Sequence, residues 1–318
     1  MAADHFGLDP QRDRGQPLTN LIRAPAFVSY LQSGRFDEPV TFANPRAAGT
    51  LSVIVRPYAE GQLLVLSQDV TERERADAMR RDFVANVSHE IRTPLTVLAG
   101  FVETLSRVAL NEVERKRVLE LMQQQTDRMQ ALVGDLLTLA RLEGSPRPPP
   151  DRWVDLDGLL ARAESDAKAL SVGRHAIDFS RETGAQLAGA EPELFSAVSN
   201  VVSNAVRYTP EGGRIAVSWS MRADGRGVIE VRDTGIGIAR EHIPRLAERF
   251  YRVDASRARD TGGTGLGLSI VKHVMQRHGG ELEIESSPGA GSSFRLVLPS
   301  ARVRQQPSKA RPAQARAA

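Results

Sequence analysis

The hydrophobic pattern along the chain changes twice and so divides it into three regions. In the first, residues 1–70, short apolar runs alternate with Pro and Gly turns. The runs Leu51–Val55 and Gln62–Leu66 are typical of strands, and the second lies between Gly61 and Asp69, which favour turns. This region is therefore predicted to be a small α/β piece.

Apolar residues recur at heptad spacing in the second region, 71–143. Gly occurs there only at Gly100 and Gly134 and Pro only at Pro94, so the pattern predicts long helices. The seam residues of the two helices are Val84, Ile91, Leu98, Leu105, Val118, Leu132 and Leu139. A short break at 109–112 indicates an antiparallel hairpin. Because a hairpin buries only one layer, we expect a dimer that completes a four-helix bundle.

The third region follows a linker at 144–151, whose sequence GSPRPPP predicts a semi-rigid segment that ends the helix. From 152 to 300, helical and strand-like segments alternate, which predicts an α/β sandwich. The expected helices are Leu156–Leu170, Pro192–Tyr208 and Ser269–Arg277, and the expected strands are Arg214–Met221, Gly227–Arg232, Glu281–Glu285 and Ser293–Leu298. The fold class expected for the whole chain is α+β, in several domains.

The composition narrows the class of protein. The 318 residues suffice for about two domains of ordinary size, and 41% hydrophobic with 25% charged residues is typical of globular proteins. The absence of Cys excludes disulfides and thiolate metal sites. The sequence has neither an uncharged stretch long enough to span a bilayer nor a signal peptide, so the chain as it stands is expected in the cytoplasm.

The net charge of +3 originates in the last residues of the chain. Residues 301–318 carry five basic residues and no acidic one, and they are rich in Pro and Ala. This composition predicts a disordered basic tail. The remainder of the chain is slightly acidic, which argues against nucleic-acid binding by the folded part.

The segment SHEIRTPL contains the first candidate chemical group, His89. Its neighbours two positions away on either side point into the helical seam, so His89 projects away from the seam as an exposed imidazole that can act as a nucleophile. Glu90 can accept a proton from the ring, and Thr93 lies one turn further on. Pro94 removes a helical hydrogen bond beside them and is expected to loosen or kink the helix. A solvated histidine on a helix is the alternative.

The second group lies on the helix predicted at 192–208. Asn200, Asn204 and Arg207 share a face that differs from the apolar one. Asn is a poor helix former, and its carboxamide oxygen suits a hard cation such as Mg²⁺. Arg207 can reach a phosphate and Tyr208 can lie against a base. A plain solvent-exposed face is the alternative.

The third group follows the strand that ends at Arg232. Gly235 and Gly237 allow the backbone to approach a ligand closely. Asp233, if buried, can accept a hydrogen bond from an adenine amino group. Taken alone this motif is weak, because similar turns are common.

The fourth group is the sequence TGGTGLGLSIV at 261–271, a loop that leads into a helix whose N-terminal amides favour phosphate. A Walker loop is excluded because the stretch lacks Lys. A Rossmann fingerprint is excluded because Leu268 or Ile270 stands where the third glycine would be required. The polar, basic segment 249–260 is predicted to be a mobile lid over phosphates, with simple solvation of its arginines as the alternative.

The order of these motifs resembles that of two-component sensor histidine kinases over residues 71–298. SHEIRTPL resembles the phosphoacceptor box of that family, NVVSNAVRYTP its asparagine box, DTGIGI its first glycine box, ERFYR its phenylalanine box and GGTGLGLSIV its second glycine box. The resemblance implies a dimeric bundle for histidine phosphotransfer, followed by an ATP-binding domain of the type shared with gyrase, Hsp90 and MutL.

The resemblance also implies an activity and its residues. A protein-histidine kinase would phosphorylate His89 from Mg-ATP, with Glu90 as acid/base partner. It would pass the phosphoryl group to an Asp of a response regulator receiver domain, and Thr93 would position water when the regulator is dephosphorylated. The implied ATP-binding residues are Asn200, Asn204, Arg207, Tyr208, Asp233, Gly235, Gly237, Arg252, Gly263, Thr264, Gly265, Leu266 and Gly267, with Asn204 also binding Mg²⁺.

Residues 1–70 resemble the second half of a PAS sensor domain, and the run at 18–36 resembles the phosphate-regulon sensor kinases. Such kinases normally begin with membrane segments and the front half of the PAS domain. The resemblance therefore implies an N-terminally truncated chain whose full-length relatives are anchored in the inner membrane. Two alternatives remain, a gyrase-type ATPase without a phosphohistidine and a dimeric scaffold without catalysis.

Overall fold

The computed structural model describes residues 2–9, 11–59, 61–180, 184–253 and 263–305. The chain separates into two compact units, Met1–Glu90 and Ile91–Ala318. A small α/β region, two long helices and an α/β sandwich follow one another along the sequence. The expected α+β class with several domains is confirmed.

The first unit contains a three-stranded antiparallel sheet and short helices. Helices α1 (Ala2–Phe6), α2 (Leu18–Leu21) and α3 (Pro25–Ser33) precede strands β1 (Val40–Ala43), β2 (Thr50–Ala59) and β3 (Gln62–Asp69). Leu51, Val53 and Val55 alternate along β2 and are buried in one cluster with Phe27, as a strand with one buried face requires. Both predicted strands are confirmed and extend further than expected, whereas β1 and the three helices were not predicted.

Two long helices occupy the region of heptad spacing. Helix α4 spans Thr71–Arg107 and continues through Pro94, and helix α5 spans Glu112–Gly144. A capping box begins α5: Asn111 Oδ1 accepts from the Glu114 amide at 2.9 Å, and the Glu114 carboxylate accepts from the Asn111 amide at 3.0 Å. The predicted helices and the break between them are confirmed. None of the described helices is both long and apolar enough to cross a membrane.

An α/β sandwich forms the C-terminal part of the second unit. Its helices are α6 (Leu156–Ser171), α7 (Glu191–Tyr208) and α8 (Gly267–Arg277). They pack on a sheet of order β5-β7-β8-β10-β9, formed by β5 (Ala176–Ser180), β7 (Arg214–Met221), β8 (Gly227–Asp233), β10 (Gly291–Leu298) and β9 (Glu281–Ser287), in which only β5 and β7 are parallel. A second sheet contains β4 (Trp153–Asp155), β6 (Ala185–Ala188) and β11 (Val303–Gln305). The predicted alternation is confirmed, and the short strands β4, β5, β6 and β11 were missed.

Helix α7 has a buried apolar face and a separate polar face. Leu194, Val201 and Ala205 are at most 3% exposed, while Asn200 and Asn204 are half-buried. Because residues three or four positions apart share one side of a helix, packing the apolar side against the sheet leaves the asparagines on another side. The polar face predicted from sequence is thus a consequence of how α7 packs.

The linker after α5 is bound to the sandwich by two arginines. Arg277 of α8 donates to the carbonyls of Ser145 and Pro146 at 2.8 and 2.6 Å. Arg302 donates to the carbonyl of Pro148 at 2.9 Å. Hydrogen bonds from charged donors to backbone carbonyls are among the stronger ones. These bonds attach the linker to the sandwich, in addition to the stiffness that its prolines give it.

The expectation of a disordered tail is wrong for its first residues. Strand β11 pairs antiparallel with β6, and the Arg304 guanidinium lies 4.1 Å from the centre of the Trp153 ring. The edge strand of a sheet has unpaired backbone N–H and C=O groups. Hydrogen bonds to these groups order residues 303–305, although their composition is typical of a disordered segment. Residues 306–318, the rest of the predicted tail, lie outside the described residues.

Candidate functional site

A cavity of about 570 Å³ lies in the second unit between α7, the end of β8 and the start of α8. The sequence-predicted residues that line it are Asn200, Asn204, Arg207, Tyr208, Asp233, Gly237, Arg252, Gly263, Thr264, Gly265 and Gly267. These residues come from four separate motifs, and the sandwich brings them to one place. A cavity of this size with few polar groups converging on it is typical of a small-molecule site.

Helix α7 presents three polar side chains to this cavity. Asn200 Nδ2 donates to the Ser196 carbonyl at 2.9 Å, which fixes the orientation of the amide. Its Oδ1 faces the start of α8, where a Cβ on Gly267 would lie only 2.5 Å from this oxygen. A Cβ on Gly263 would lie 3.1 Å from the Arg207 guanidinium. Glycines at these two positions therefore allow the loop before α8 to pass close to the polar face of α7.

Asp233 ends β8 and is 5% exposed. Its Oδ1 accepts a hydrogen bond from the Gly235 amide at 2.8 Å. Burial raises the pKa of this carboxyl, and backbone hydrogen bonds from Gly235 and Ser292 offset part of that effect. A buried acceptor whose position is fixed by the backbone can select a ligand that carries an amino group.

Two glycines at the cavity have left-handed backbones that leave no room for a side chain. Gly237 has φ +68°, and a Cβ there would lie 1.9 Å from the Ser287 carbonyl oxygen. Gly265 has φ +73°, and a Cβ would lie 2.9 Å from Phe250 Cα. These glycines shape the cavity because they allow the chain to approach itself, whereas the sequence alone predicts only a close approach of the backbone to a ligand.

Two residues predicted to bind ATP do not line the cavity. Leu266 is fully buried in the core, and only its backbone takes part near the loop, where its amide donates to Thr264 Oγ1 at 3.2 Å. Gly235 donates its amide to Asp233. Neither Leu266 nor Gly235 has a side chain that reaches the cavity. Both residues therefore contribute to the site only through their backbone hydrogen bonds.

Helix α5 contributes two cavity residues that the sequence patterns do not indicate. Ala131 and Asp135 line the cavity, and Asp135 Oδ2 accepts a hydrogen bond from Thr264 Oγ1 at 2.5 Å. Burial raises the pKa of Asp135, while this hydrogen bond and the charge of Arg207 lower it. In the sequence Asp135 is simply a polar position beside the heptad seam, and only a contact across 129 residues reveals its place.

A second group that the sequence patterns do not indicate lies in and near the segment ERFYR, residues 248–252. Tyr251 lines the cavity, and its hydroxyl shares a hydrogen bond with His242 Nδ1 at 2.7 Å. The Arg245 guanidinium lies 4.3 Å from the centre of the same ring, a cation–π geometry. Residues 249–253 of the predicted lid are described, and the remainder, 254–260, lies outside the described residues.

The candidate phosphoacceptor group lies on α4. His89 and Thr93 are exposed and Glu90 is half-buried. A spacing of four residues places His89 and Thr93 on neighbouring turns of one helix face. The exposure expected for the imidazole is therefore present.

Comparison with known domain families gives two matches. Residues 79–145 match the family described as the His Kinase A (phospho-acceptor) domain. Residues 189–302 match the family described as the Histidine kinase-, DNA gyrase B-, and HSP90-like ATPase. The first match contains His89, and the second contains the described cavity residues of the sandwich.

Curated relatives match most of the chain. The phosphate regulon sensor protein PhoR of Pseudomonas aeruginosa is 48% identical over 319 residues, which cover 98% of this chain and 71% of that protein. The sensor-like histidine kinase SenX3 of Mycolicibacterium smegmatis is 40% identical over 266 residues, 82% of this chain and 69% of that protein.

Solved structures of histidine kinases share the fold. Histidine kinase ThkA, solved with response regulator protein TrrA, aligns with a TM-score of 0.54 at 19% identity over 94% of this chain and 90% of that one. Full-length ShkA, solved with AMPPNP, aligns with a TM-score of 0.50 at 28% identity over 71% of this chain and 47% of that one.

Proposed function

Because this chain belongs to the sensor histidine kinases, with relatives such as PhoR and SenX3, we propose that it phosphorylates His89 from Mg-ATP. The phosphoryl group then passes to an aspartate of a response regulator. The chain is a protein-histidine kinase with an ATP-binding domain by its family.

The observation that carries the proposal is the convergence of four motifs on one cavity. Asp233 accepts a hydrogen bond from the adenine amino group, since its buried carboxylate is held by the Gly235 amide at 2.8 Å. The Tyr208 ring, 40% exposed at the edge of the cavity, lies against the base. Together these two residues fix the orientation of the nucleotide.

The triphosphate binds in the same cavity. Arg207, Arg252 and the amides at the start of α8 provide positive charge and donors for phosphate oxygens. Asn200 and Asn204 line the same space, and amide oxygens suit a hard cation. When bound, Mg²⁺ neutralises charge on the phosphates, and Asn204 is the residue proposed to hold it.

A ring nitrogen of His89 attacks the γ-phosphorus in line as the bond from that phosphorus to the β–γ bridging oxygen breaks. ADP leaves with the bridging oxygen, and Glu90 accepts the proton from the ring. Phosphoryl transfer requires little covalent chemistry from the protein, so catalysis consists mainly of positioning and charge neutralisation. Thr93, one turn from His89, positions water during dephosphorylation of the regulator. These three roles rest on the match to the phospho-acceptor domain.

Two partners are proposed, a second copy of the chain and a receiver domain. Apolar side chains remain exposed on the long helices, with Val102 at 54%, Val133 at 46% and Leu137 at 55%, and a four-helix bundle would cover such residues. The structure of ThkA with response regulator TrrA supports a receiver domain as the acceptor.

The relatives named phosphate regulon sensor proteins support a phosphate-responsive signal. A PAS-like sensor role for residues 1–70 is part of this proposal.

A gyrase-type ATPase and a non-catalytic scaffold are the competing functions. The first predicts ATP hydrolysis without a stable phosphoprotein, and the second predicts no Mg-dependent nucleotide binding. The sequence match to the phospho-acceptor domain and the exposed His89 favour the kinase.

Incubation with γ-labelled ATP and Mg²⁺ tests the proposal. The wild-type chain is expected to yield an acid-labile, base-stable phosphoprotein, and the variants His89→Gln and Asn204→Ala are expected to remain unlabelled. Label that persists in His89→Gln would reject the assigned phosphoacceptor. ATP turnover without label would favour the ATPase.

A further inference from the structure

Helix α5 contacts the ATP-binding sandwich at two ends of a short segment. At one end, Asp135 Oδ2 accepts from Thr264 Oγ1 at 2.5 Å inside the cavity. At the other, the Leu142 carbonyl accepts from Arg277 at 2.7 Å. Glu143 also forms an ion pair with Arg249. Of the three sandwich residues, Thr264 lines the cavity. Arg249 does not line it in the described residues but precedes Phe250, whose amide donates to the carbonyl of the cavity residue Gly265 at 2.9 Å.

The Arg277 contact is independent of the nucleotide. Its side chain is 9% exposed and also pairs with Glu193, and neither residue lines the cavity in the part of the chain that the structure describes. Breaking a buried, fully paired guanidinium contact is costly. This end of α5 therefore stays attached whether or not the cavity is filled.

The Asp135 contact depends on what the cavity holds. Asp135 is a carboxylate that lines the same space as Arg207 and Asn204, the groups proposed for phosphate and cation. Asp135 also accepts the hydrogen bond of the Thr264 hydroxyl, which lies in the loop expected to bind phosphate oxygens. A triphosphate brings several negative charges into this partly desolvated space, where like charges repel more strongly than in water. Asp135 and the triphosphate therefore compete.

We propose that Asp135 is a positioning residue that the triphosphate displaces. With no triphosphate in the cavity, Asp135 holds the loop at Thr264 against α5, and Arg249 remains beside Glu143. Binding of Mg-ATP expels the carboxylate and frees the loop, while Arg277 still holds the end of α5. The sandwich then pivots about Arg277. This inference rests on the proposed function, because it requires ATP in this cavity.

Linkage makes the proposal quantitative. If Mg-ATP weakens the contact between α5 and the loop by a given factor, the contact must weaken Mg-ATP binding by the same factor. Replacing Asp135 with Asn retains an oxygen acceptor for Thr264 and removes the charge. The variant Asp135→Asn is thus expected to bind Mg-ATP about fivefold or more tightly than wild type, a typical coupling between sites.

The test combines nucleotide binding with cross-linking. The chain has no Cys, so Glu143→Cys with Arg249→Cys provides one defined pair for a short bismaleimide, and the intrachain product is measured by mass spectrometry. Mg-ATP is expected to reduce cross-linking about fivefold when residue 135 is Asp and to leave it unchanged in Asp135→Asn. The matched control is Asp127→Asn, the same change on an exposed position of α5 that bonds only Gln123 in the described contacts. It should alter neither readout.

Each of the other possible results would reject a specific part of the proposal. Asp135→Asn that weakens Mg-ATP binding would make Asp135 a cation ligand and overturn the displacement. Cross-linking unaffected by Mg-ATP in a chain that binds it would reject the displacement and leave the proposed function intact. Absence of Mg-ATP binding in the wild type would reject the proposed function itself. Should Asp135→Asn fail to fold, Thr264→Val removes the same hydrogen bond from the other side and is expected to lower cross-linking without nucleotide.

Discussion

Arg277 in α8 and Glu193 in α7 form a two-bond ion pair, with Nε to Oε2 and Nη2 to Oε1 each at 3.0 Å. The same guanidinium donates to backbone carbonyls of α5 and the linker, including Ser145 at 2.8 Å. One buried charge therefore joins two helices of the sandwich to the end of α5. Because all of its donors are directed at acceptors, this residue is central to how the linker is held.

Arg277→Met is expected to lower the free energy of unfolding by about 3 to 5 kcal/mol, since it leaves Glu193 charged and largely buried. Arg226→Met is the control, because Arg226 pairs with Asp224 and Glu281 at an exposed site and should cost about 0 to 1 kcal/mol. Chemical denaturation of both variants measures the difference. Equal losses would show that the Arg277 cluster contributes no more than a surface ion pair.

Gly237→Ala is expected to lower the free energy of unfolding by about 3 kcal/mol, the sum of left-handed backbone strain and overpacking. The added Cβ meets the Ser287 carbonyl, so Mg-ATP binding should also fall. Gly212→Ala is the matched control, with φ +80° and no atom within 4 Å of the added Cβ, and should cost only about 1 kcal/mol. Thermal or chemical unfolding with nucleotide titration tests the pair. Equal losses of stability in Gly237→Ala and Gly212→Ala would mean that backbone strain alone, without the clash at Ser287, accounts for the effect at Gly237.

Asp233→Asn is expected to weaken ATP binding about tenfold or more, because it removes the charged acceptor proposed to bind the base. The same variant is expected to be more stable than wild type at neutral pH. The reason is that burial raises the pKa of Asp233, so keeping the carboxylate ionised costs stability above that pKa, and the cost disappears as the pH falls below the ordinary Asp range.

Isothermal titration with ATP and unfolding curves at several pH values measure both effects of Asp233→Asn. The stability advantage of the variant should shrink as the pH is lowered through the raised pKa. ATP binding by the wild type should weaken over the same interval. An advantage that grows at low pH would contradict the direction assigned to the pKa.

Thr93→Ala is expected to retain autophosphorylation of His89 and to slow dephosphorylation of the regulator about tenfold or more, as expected for loss of a group that positions water. Thr96→Ala is the matched control on the same helix, since the Thr96 hydroxyl donates to the Arg92 carbonyl at 3.0 Å. Kinase and phosphatase rates measured with labelled protein separate the two roles. Equal loss of both activities in Thr93→Ala would reject a specific phosphatase role.

Much of the fold was predictable because its signals are local. The heptad spacing predicted α4 and α5, and the capping residues Asn111 and Glu114, three positions apart, form the box that starts α5. The alternation along β7, β8 and β10 likewise depends on neighbours in sequence. The strands that were missed, β1, β4, β5, β6 and β11, are at most five residues long, and such short runs carry too little periodicity to be recognised.

The sequence by itself determined which chemical groups are available to the site, since four motifs contain the groups proposed to bind a nucleotide and a cation. Only the tertiary structure decided which of those groups meet. Leu266 lies in the core although its motif predicts ATP binding, and Asp135 enters the cavity although nothing around it in the sequence indicates this. The physical reason is that periodicity and turn chemistry act over a few residues, whereas the contact between Asp135 and Thr264 spans 129 residues and depends on how α5 packs against the sandwich.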